Sequence, residues 1–207
     1  MNHIHYMWNF KPNERHPFPK DAIDTNSKYI SNYLIHTPDN INILIKNNIF
    51  PELEELYYQI PHWVIHVDLL RLLIIYFNGG FYCDADCFIQ KKWKTTSMVV
   101  FTEYICKSVN ELGLRECKNP ENVVRIANYC FGTNTLHHPF LKEVIEECIV
   151  RLKYIISEKN IKISRKDILW ICGPDVITTV YHRSKHKYDI SLYDKTYLQH
   201  MQYASWR

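Results

Sequence analysis

Apolar and polar positions change their spacing several times along the chain, and each change marks a boundary. Residues 67–77 are apolar nearly all round, interrupted only by Asp68 and Arg71. A run of that length without alternation predicts a helix buried on every side. Gly79-Gly80 follows, as a left-handed helix stop requires. Residues 81–84 then read as a short buried strand that runs into Asp84-Ala85-Asp86, with residues 87–90 continuing extended. A helix, a glycine stop and a strand ending in two carboxylates is the grammar of an α/β protein.

The same reading extends over the rest of the chain. Residues 4–8, 99–104, 126–131 and 168–171 predict strands, and residues 29–35 a strand or short helix. Residues 41–48, 51–59, 139–154 and 175–181 predict helices, the second and third opening on proline. Thr37-Pro38-Asp39-Asn40 predicts a turn. Residues 10–20 are proline-rich and irregular, a loop suited to cover a site, and residues 107–122 form a polar excursion. No internal repeat or low-complexity linker is present, so the expectation is one domain over residues 1–207.

Composition narrows the function. The formal charge of +3 over 207 residues is too small for a dedicated nucleic-acid binder, yet compatible with an anionic small molecule. Seven cysteines, with no Cys-x-x-Cys, point to reduced thiols and a cytoplasmic, soluble protein. Residues 1–20 lack an apolar run, so no signal peptide is expected. The stretch 69–77 contains Arg71 and is too short for a transmembrane segment.

Asp84-x-Asp86 carries the main chemical signal. Residues i and i+2 of a regular strand line the same face. At a strand's end the backbone turns, and both carboxylates converge on one hard cation, Mn²⁺ or Mg²⁺, that retains positions for phosphate oxygens. The motif alone is common in surface turns; its place at the carboxyl end of an apolar strand, where α/β sheets bind ligands, favours a site. Asp68 and Arg71, three apart on the buried helix, make a structural ion pair or hold a ribose or base. Trp8 is a core residue or a platform for a nucleobase at the end of the first strand. His200 is a candidate third metal ligand, and Trp206 argues for a docked tail.

Taken together, Asp68-Leu-Leu-Arg71, Gly79-Gly80-Phe-Tyr82-Cys-Asp84-Ala-Asp86, the opening Ile4-His5-Tyr6-Met7-Trp8, Ile126-Ala-Asn128 with His138-Pro139-Phe140, Gly173-Pro174 with Thr178, and His200 with Ser205-Trp206 resemble glycosyltransferase family 32. Its relatives include yeast mannosyltransferases and clostridial toxin glucosyltransferases, and similar small enzymes occur in large DNA viruses. The resemblance implies a GT-A fold, a Rossmann-like α/β sandwich with one central mixed sheet. Residues 1–105 would form the nucleotide side, and residues 106–207 the acceptor side and closing tail. It implies a nucleotide-sugar donor, UDP-sugar in preference to GDP-sugar. A glycan or a protein- or lipid-linked hydroxyl would be the acceptor, and configuration would be retained. Trp8 would stack on the base, and Asp68 and Arg71 would hold ribose or sugar. Asp84 would contact ribose and reach the metal through water, and Asp86 would ligate it directly. Asn128, Gly173 and Trp206 belong to the expected donor site, and His200 or Ser205 would complete the metal or phosphate site.

Two alternatives remain open at this point. A phosphohydrolase of the haloacid-dehalogenase type also places D-x-D after an apolar strand, although that motif usually opens the chain and has Thr or Val after it, where Cys87 stands here. The other is a non-catalytic carbohydrate-binding protein. No Cys or His spacing matches a tetrahedral zinc pattern.

Overall fold

The computed structural model describes residues 3–60, 62–95, 97–106, 123–158 and 163–202. The polar excursion 107–122, Ser205 and Trp206 lie outside them. The elements in chain order are β1 (His3–Met7), α1 (Lys20–Asn26), β2 (Asn32–His36), α2 (Pro38–Ile41), a 3-10 turn (Asn42–Ile45), α3 (Leu53–Tyr58), α4 (Trp63–Asn78), β3 (Gly80–Cys83) and β4 (Cys87–Ile89). Then follow β5 (Met98–Cys106), β6 (Val123–Thr133), α5 (Pro139–Ser157), α6 (Arg165–Ile171), α7 (Pro174–Ser184), β7 (Ile190–Tyr193) and β8 (Leu198–His200).

Among the described residues, six strands form one sheet in the order β2-β1-β3-β6-β5-β7, and β4 and β8 form a separate ribbon. β1 is parallel to β2 and β3; β6 is antiparallel to β3 and β5; β7 is parallel to β5. This is the mixed α/β sandwich that the resemblance implied. Both faces of the sheet are covered, which explains why its strands read as apolar runs rather than alternating ones. Tyr82, Met98, Val100 and Phe131 face the large core under α4, α5, α6 and α7. Phe81, Cys83, Val99 and Phe101 face a smaller core with Ala22 of α1, Ile89 of β4 and Leu198 of β8.

The buried helix is longer than its apolar run. α4 starts at Trp63, where His62 accepts a hydrogen bond from the Val64 amide at 3.2 Å. It stops at Gly79, whose φ of 66° is left-handed. Gly80 also has positive φ, 84°, and a Cβ there would lie 2.8 Å from the His3 carbonyl oxygen. The Gly-Gly pair therefore both ends the helix and lets β3 enter the sheet against β1.

Several expectations need correction. Residues 168–171 belong to the α6 helix and not to a strand: Ser164 and Asp167 cap each other reciprocally, and Ile168 and Ile171 bury one helical face. Residues 37–40 do not form a simple turn, because Thr37 and Asn40 build a capping box that starts α2. Of the expected helix 41–48, Ile41 is the last residue of α2 and residues 42–45 form a 3-10 turn. Helix α1 and strands β7 and β8 were not anticipated.

Candidate active site

β1 and β3 are parallel neighbours with His5 opposite Tyr82, so Trp8 and Asp84 leave the sheet at the same edge. At the end of β3 the Asp84 amide donates to the Tyr129 carbonyl at 2.8 Å, and the Cys87 amide closes a turn onto the Asp84 carbonyl at 3.0 Å. Across that turn both carboxylates remain aimed one way. The ribbon supplies the third group. β8 pairs with β4, setting His200 opposite Cys87, and the Met201 amide donates to the Asp86 carbonyl at 2.9 Å. Donor atoms of Asp84, Asp86 and His200 lie within 4.8 Å of one another, and His200 Nε2 is 3.3 Å from Asp86 Oδ1. The His200 ring stacks on Tyr129 with centroids 4.0 Å apart. Two carboxylates and an imidazole converging in this way fit a divalent cation.

Behind this cluster lies a buried polar network on α4. Arg71 Nη2 is 2.9 Å from Asp68 Oδ1, Arg71 Nη1 donates to the Asn128 carbonyl at 2.9 Å, and Asn128 Nδ2 donates to Asp68 Oδ1 at 3.1 Å. Arg71 Nη1 also reaches Asp84 Oδ1 at 3.5 Å, and its guanidinium lies 4.5 Å over the Tyr82 ring. Tyr82 donates its hydroxyl to Asp84 Oδ1. One guanidinium thus ties the helix, β6 and the first aspartate of the motif together.

The electrostatics follow from crowding. Burial pushes Asp68 up to about 6 even though Arg71 and Asn128 favour its charged form, with Asp84 adding repulsion. Burial also raises Asp84 against the pull of Arg71 and the Tyr82 hydroxyl. Burial alone would lower His200, but the carboxylates of Asp86, Asp84 and Glu103 outweigh it and raise the imidazole. A surplus of carboxylate is what a bound cation relieves.

The other expected donor residues are placed as follows. Trp8 donates its indole N–H to the His16 carbonyl at 2.7 Å and meets Phe18 edge-on at 5.3 Å, so the loop after β1 holds it. Gly173 is the N-cap of α7, where a Cβ would lie 2.8 Å from the Leu169 carbonyl oxygen. Close helix packing accounts for glycine at that position. Sequence reasoning missed Tyr82, Tyr129, Glu103, Arg125 and Asp175. Tyr82 had a signal, since it precedes Asp84 by two on one strand and so shares its face.

Residues 12–105 match the family profile described as the glycosyltransferase sugar-binding region containing a DXD motif. The chain carries a DXD glycosyltransferase region. The resemblance first read from Asp68 to Asp86 holds, and the protein is a transferase. The match ends within β5, so Asn128, Gly173 and His200 lie beyond it. Among solved structures, PaToxG glycosyltransferase superposes with a TM-score of 0.55 over 88% of this chain and 69% of that chain, at 20% identity. This likeness establishes the fold of the glycosyltransferase region and its surroundings. A transferase mutant with two cysteine-to-serine changes covers 86% of this chain and 84% of its own at 13% identity, but its TM-score of 0.38 carries no argument. Among curated proteins, none matches the chain. No described helix is long and apolar enough to cross a membrane.

Proposed function

We propose that this protein transfers a sugar from a nucleotide-sugar donor to a hydroxyl acceptor, with retention of configuration and dependence on a divalent cation. The observation that carries the reading is the convergence of Asp84, Asp86 and His200 at the carboxyl edge of β3. A divalent cation held there would neutralise charge on the departing diphosphate. The chain's own residues do the rest. Trp8 offers an aromatic face to the base at the same sheet edge. Arg71, fixed by Asp68 and Asn128, orients Asp84 and presents positive charge near the leaving group. The proline-rich loop between β1 and α1 closes over the donor and keeps water out. Gly173, at the turn into α7, is read with Asn128 as a donor-site residue. Residues 1–105 form the nucleotide side, and residues 106–207 the acceptor side.

Transfer builds positive charge at the anomeric carbon as the diphosphate leaves, and no protein nucleophile is invoked. The acceptor hydroxyl gives its proton to the leaving phosphate oxygen on the same face, which yields retention. UDP is the preferred nucleotide, on the resemblance to toxin glucosyltransferases, over GDP. The histidine in the ligand set supports Mn²⁺ over Mg²⁺, since the softer Mn²⁺ tolerates a nitrogen ligand that oxygen-demanding Mg²⁺ disfavours. A glycan or a protein- or lipid-linked hydroxyl serves as acceptor, in the cytoplasm; five described cysteines free of disulfides support a reducing compartment. Nothing in the site favours a phosphohydrolase or an inert sugar-binding protein.

Calorimetric titration of UDP and GDP with and without Mn²⁺, on the native protein and on Asp86→Asn, tests the reading. Metal-dependent binding of one nucleotide that the variant loses is the expected result. No binding of either nucleotide in the presence of Mn²⁺ overturns it.

A further inference from the structure

Strands β5 and β6 do not run in even register. Val99 faces Gly132 and Val100 faces Phe131, but Thr102 then faces Ile126 and Tyr104 faces Arg125. Two irregularities of opposite sense result. Among the described residues, 127–130 of β6 face no β5 partner, and Glu103 is one residue too many on β5. Such bulges re-aim a side chain, and they concentrate beside binding sites.

The register also fixes where Glu103 emerges. Phe81 of β3 faces the same Gly132 as Val99, and Tyr82 the same Phe131 as Val100. β3 and β5 therefore run level and in the same direction, with β6 between them. Val100 is thus level with Tyr82, and Glu103, three residues further along β5, lies toward the same carboxyl edge at which β3 delivers Asp84. In the sheet order, β1 with Trp8 lies on one side of β3, and β5 with Glu103 lies two strands away on the other, about 10 Å at ordinary strand spacing.

The side chain is held for use. Arg125 Nε donates to Glu103 Oε2 at 2.7 Å, Arg125 pairs through Nη1 with the buried Asp175, and its guanidinium lies 5.6 Å over the Tyr104 ring. The Arg125 side chain is 4% exposed, whereas that of Glu103 is 26% exposed. Burying a guanidinium and two carboxylates is costly, and packing alone would be served better by apolar residues. Glu103 also lies within electrostatic reach of His200 and of Tyr129, the ring on which His200 stacks. A carboxylate fixed at one oxygen and accessible otherwise is a strong acceptor for hydroxyl donors.

We propose that Glu103 receives a hydroxyl of the hexose carried by the nucleotide-sugar donor and fixes the sugar beside the diphosphate. The inference rests on the nucleotide-sugar reading above. With the diphosphate at Asp84 and Asp86 and the base toward Trp8, the remaining direction along the sheet edge leads to Glu103.

Affinities for a nucleoside diphosphate and for its sugar conjugate separate this role from a structural one. UDP, UDP-glucose, UDP-N-acetylglucosamine, UDP-galactose, GDP and GDP-mannose are titrated with Mn²⁺ into the native protein, Glu103→Ala and Glu103→Gln, with thermal melting as a check on folding. Glu103→Ala is expected to weaken the bound nucleotide sugar about 10-fold or more, as loss of a hydrogen bond to a charged group does. The parent diphosphate stays within about twofold. Glu103→Gln, which keeps an acceptor oxygen, loses less, and it decides the matter if the alanine variant does not fold. Equal weakening of diphosphate and conjugate, or no weakening of either, overturns the proposal. If the native protein binds neither UDP nor GDP, the nucleotide-sugar reading itself fails, and this inference with it.

Discussion

His200 sits 3.3 Å from Asp86, brought there from a remote part of the chain by the pairing of β8 with β4. An Asp-Asp-His set differs from an all-carboxylate one in its preferences, because Mg²⁺ demands hard oxygen ligands whereas the softer Mn²⁺, also at home among carboxylates and water, tolerates a nitrogen ligand. Mn²⁺ is therefore expected to support nucleotide binding better than Mg²⁺. His200→Asp should narrow that gap, and His200→Ala should lower Mn²⁺ affinity by roughly 10-fold or more, at least what losing an outer-shell partner costs. Calorimetry with each ion checks this; equal Mn²⁺ preference in the native protein and His200→Asp would count against the histidine as a ligand.

Arg71 is expected to be a stability residue as well as a site residue. Arg71→Met leaves Asp68 buried without its cation, a loss on the order of 3–5 kcal/mol. Arg71→Lys should recover only part of it, because an ammonium cannot span Asp68, the Asn128 carbonyl and Asp84 at once. Urea unfolding measures both. A lysine variant as stable as the native protein would show that the fork geometry is unimportant.

A pair of histidines makes stability depend on pH. His5 Nδ1 is 2.9 Å from His36 Nε2, and His5 Nε2 is 3.0 Å from the Gly79 carbonyl. A neutral His5 donating to Gly79 and accepting from His36 satisfies all three groups. Burial, then His36, lowers the His5 pKa from 6.5 to about 4, with His3 adding a smaller push. Between those values the unfolded chain binds a proton that the folded chain refuses. The contribution is complete above pH 6.5 and shrinks as pH falls toward about 4, by roughly 3 kcal/mol in all. Unfolding curves across that window should be steeper in pH for the native protein than for His5→Gln, and parallel curves would refute the assignment.

Gly132 has no room for a side chain. A Cβ there would lie 2.2 Å from the Gly80 carbonyl oxygen and 2.6 Å from Phe81 Cα, both backbone atoms that cannot swing away. Gly132→Ala should cost at least the roughly 1–3 kcal/mol typical of overpacking. The damage should appear in nucleotide binding too, because β3 carries the aspartate motif. A variant with native melting temperature and binding would show that the β3–β6 contact yields easily.

Much of this was legible in the residues, and the reasons differ by element. The buried helix, its glycine stop and the strand into Asp84 were readable because burial on all sides leaves an unmistakable apolar run. Asp68, Arg71, Asp84 and Asp86 fell out of the same segment, and all four meet in the structure. Helix α6 was misread because Ile168 to Ile171 is too short for period to decide between strand and helix. The Ser164 and Asp167 capping box was the signal that would have decided it. β7 and β8 were invisible because ribbon and edge strands bury few side chains, and their sequence reads as a charged tail. Glu103 was beyond reach of any sequence argument: its direction comes from a register slip between two strands, which no periodicity reveals.

The β4–β8 ribbon couples two processes usually considered apart. Its second strand adds little apolar burial beyond Leu198, so its docking free energy is modest. Whatever joins His200 to Asp86 adds to that docking free energy, and by linkage the docking adds equally to the affinity for what is bound. The same segment then behaves as a clasp whose closure can be read from outside, as protection of residues 194–202 from proteases or from amide exchange that rises with ion concentration. Occupancy of the site and order in the tail become one equilibrium, observable without any sugar acceptor in hand.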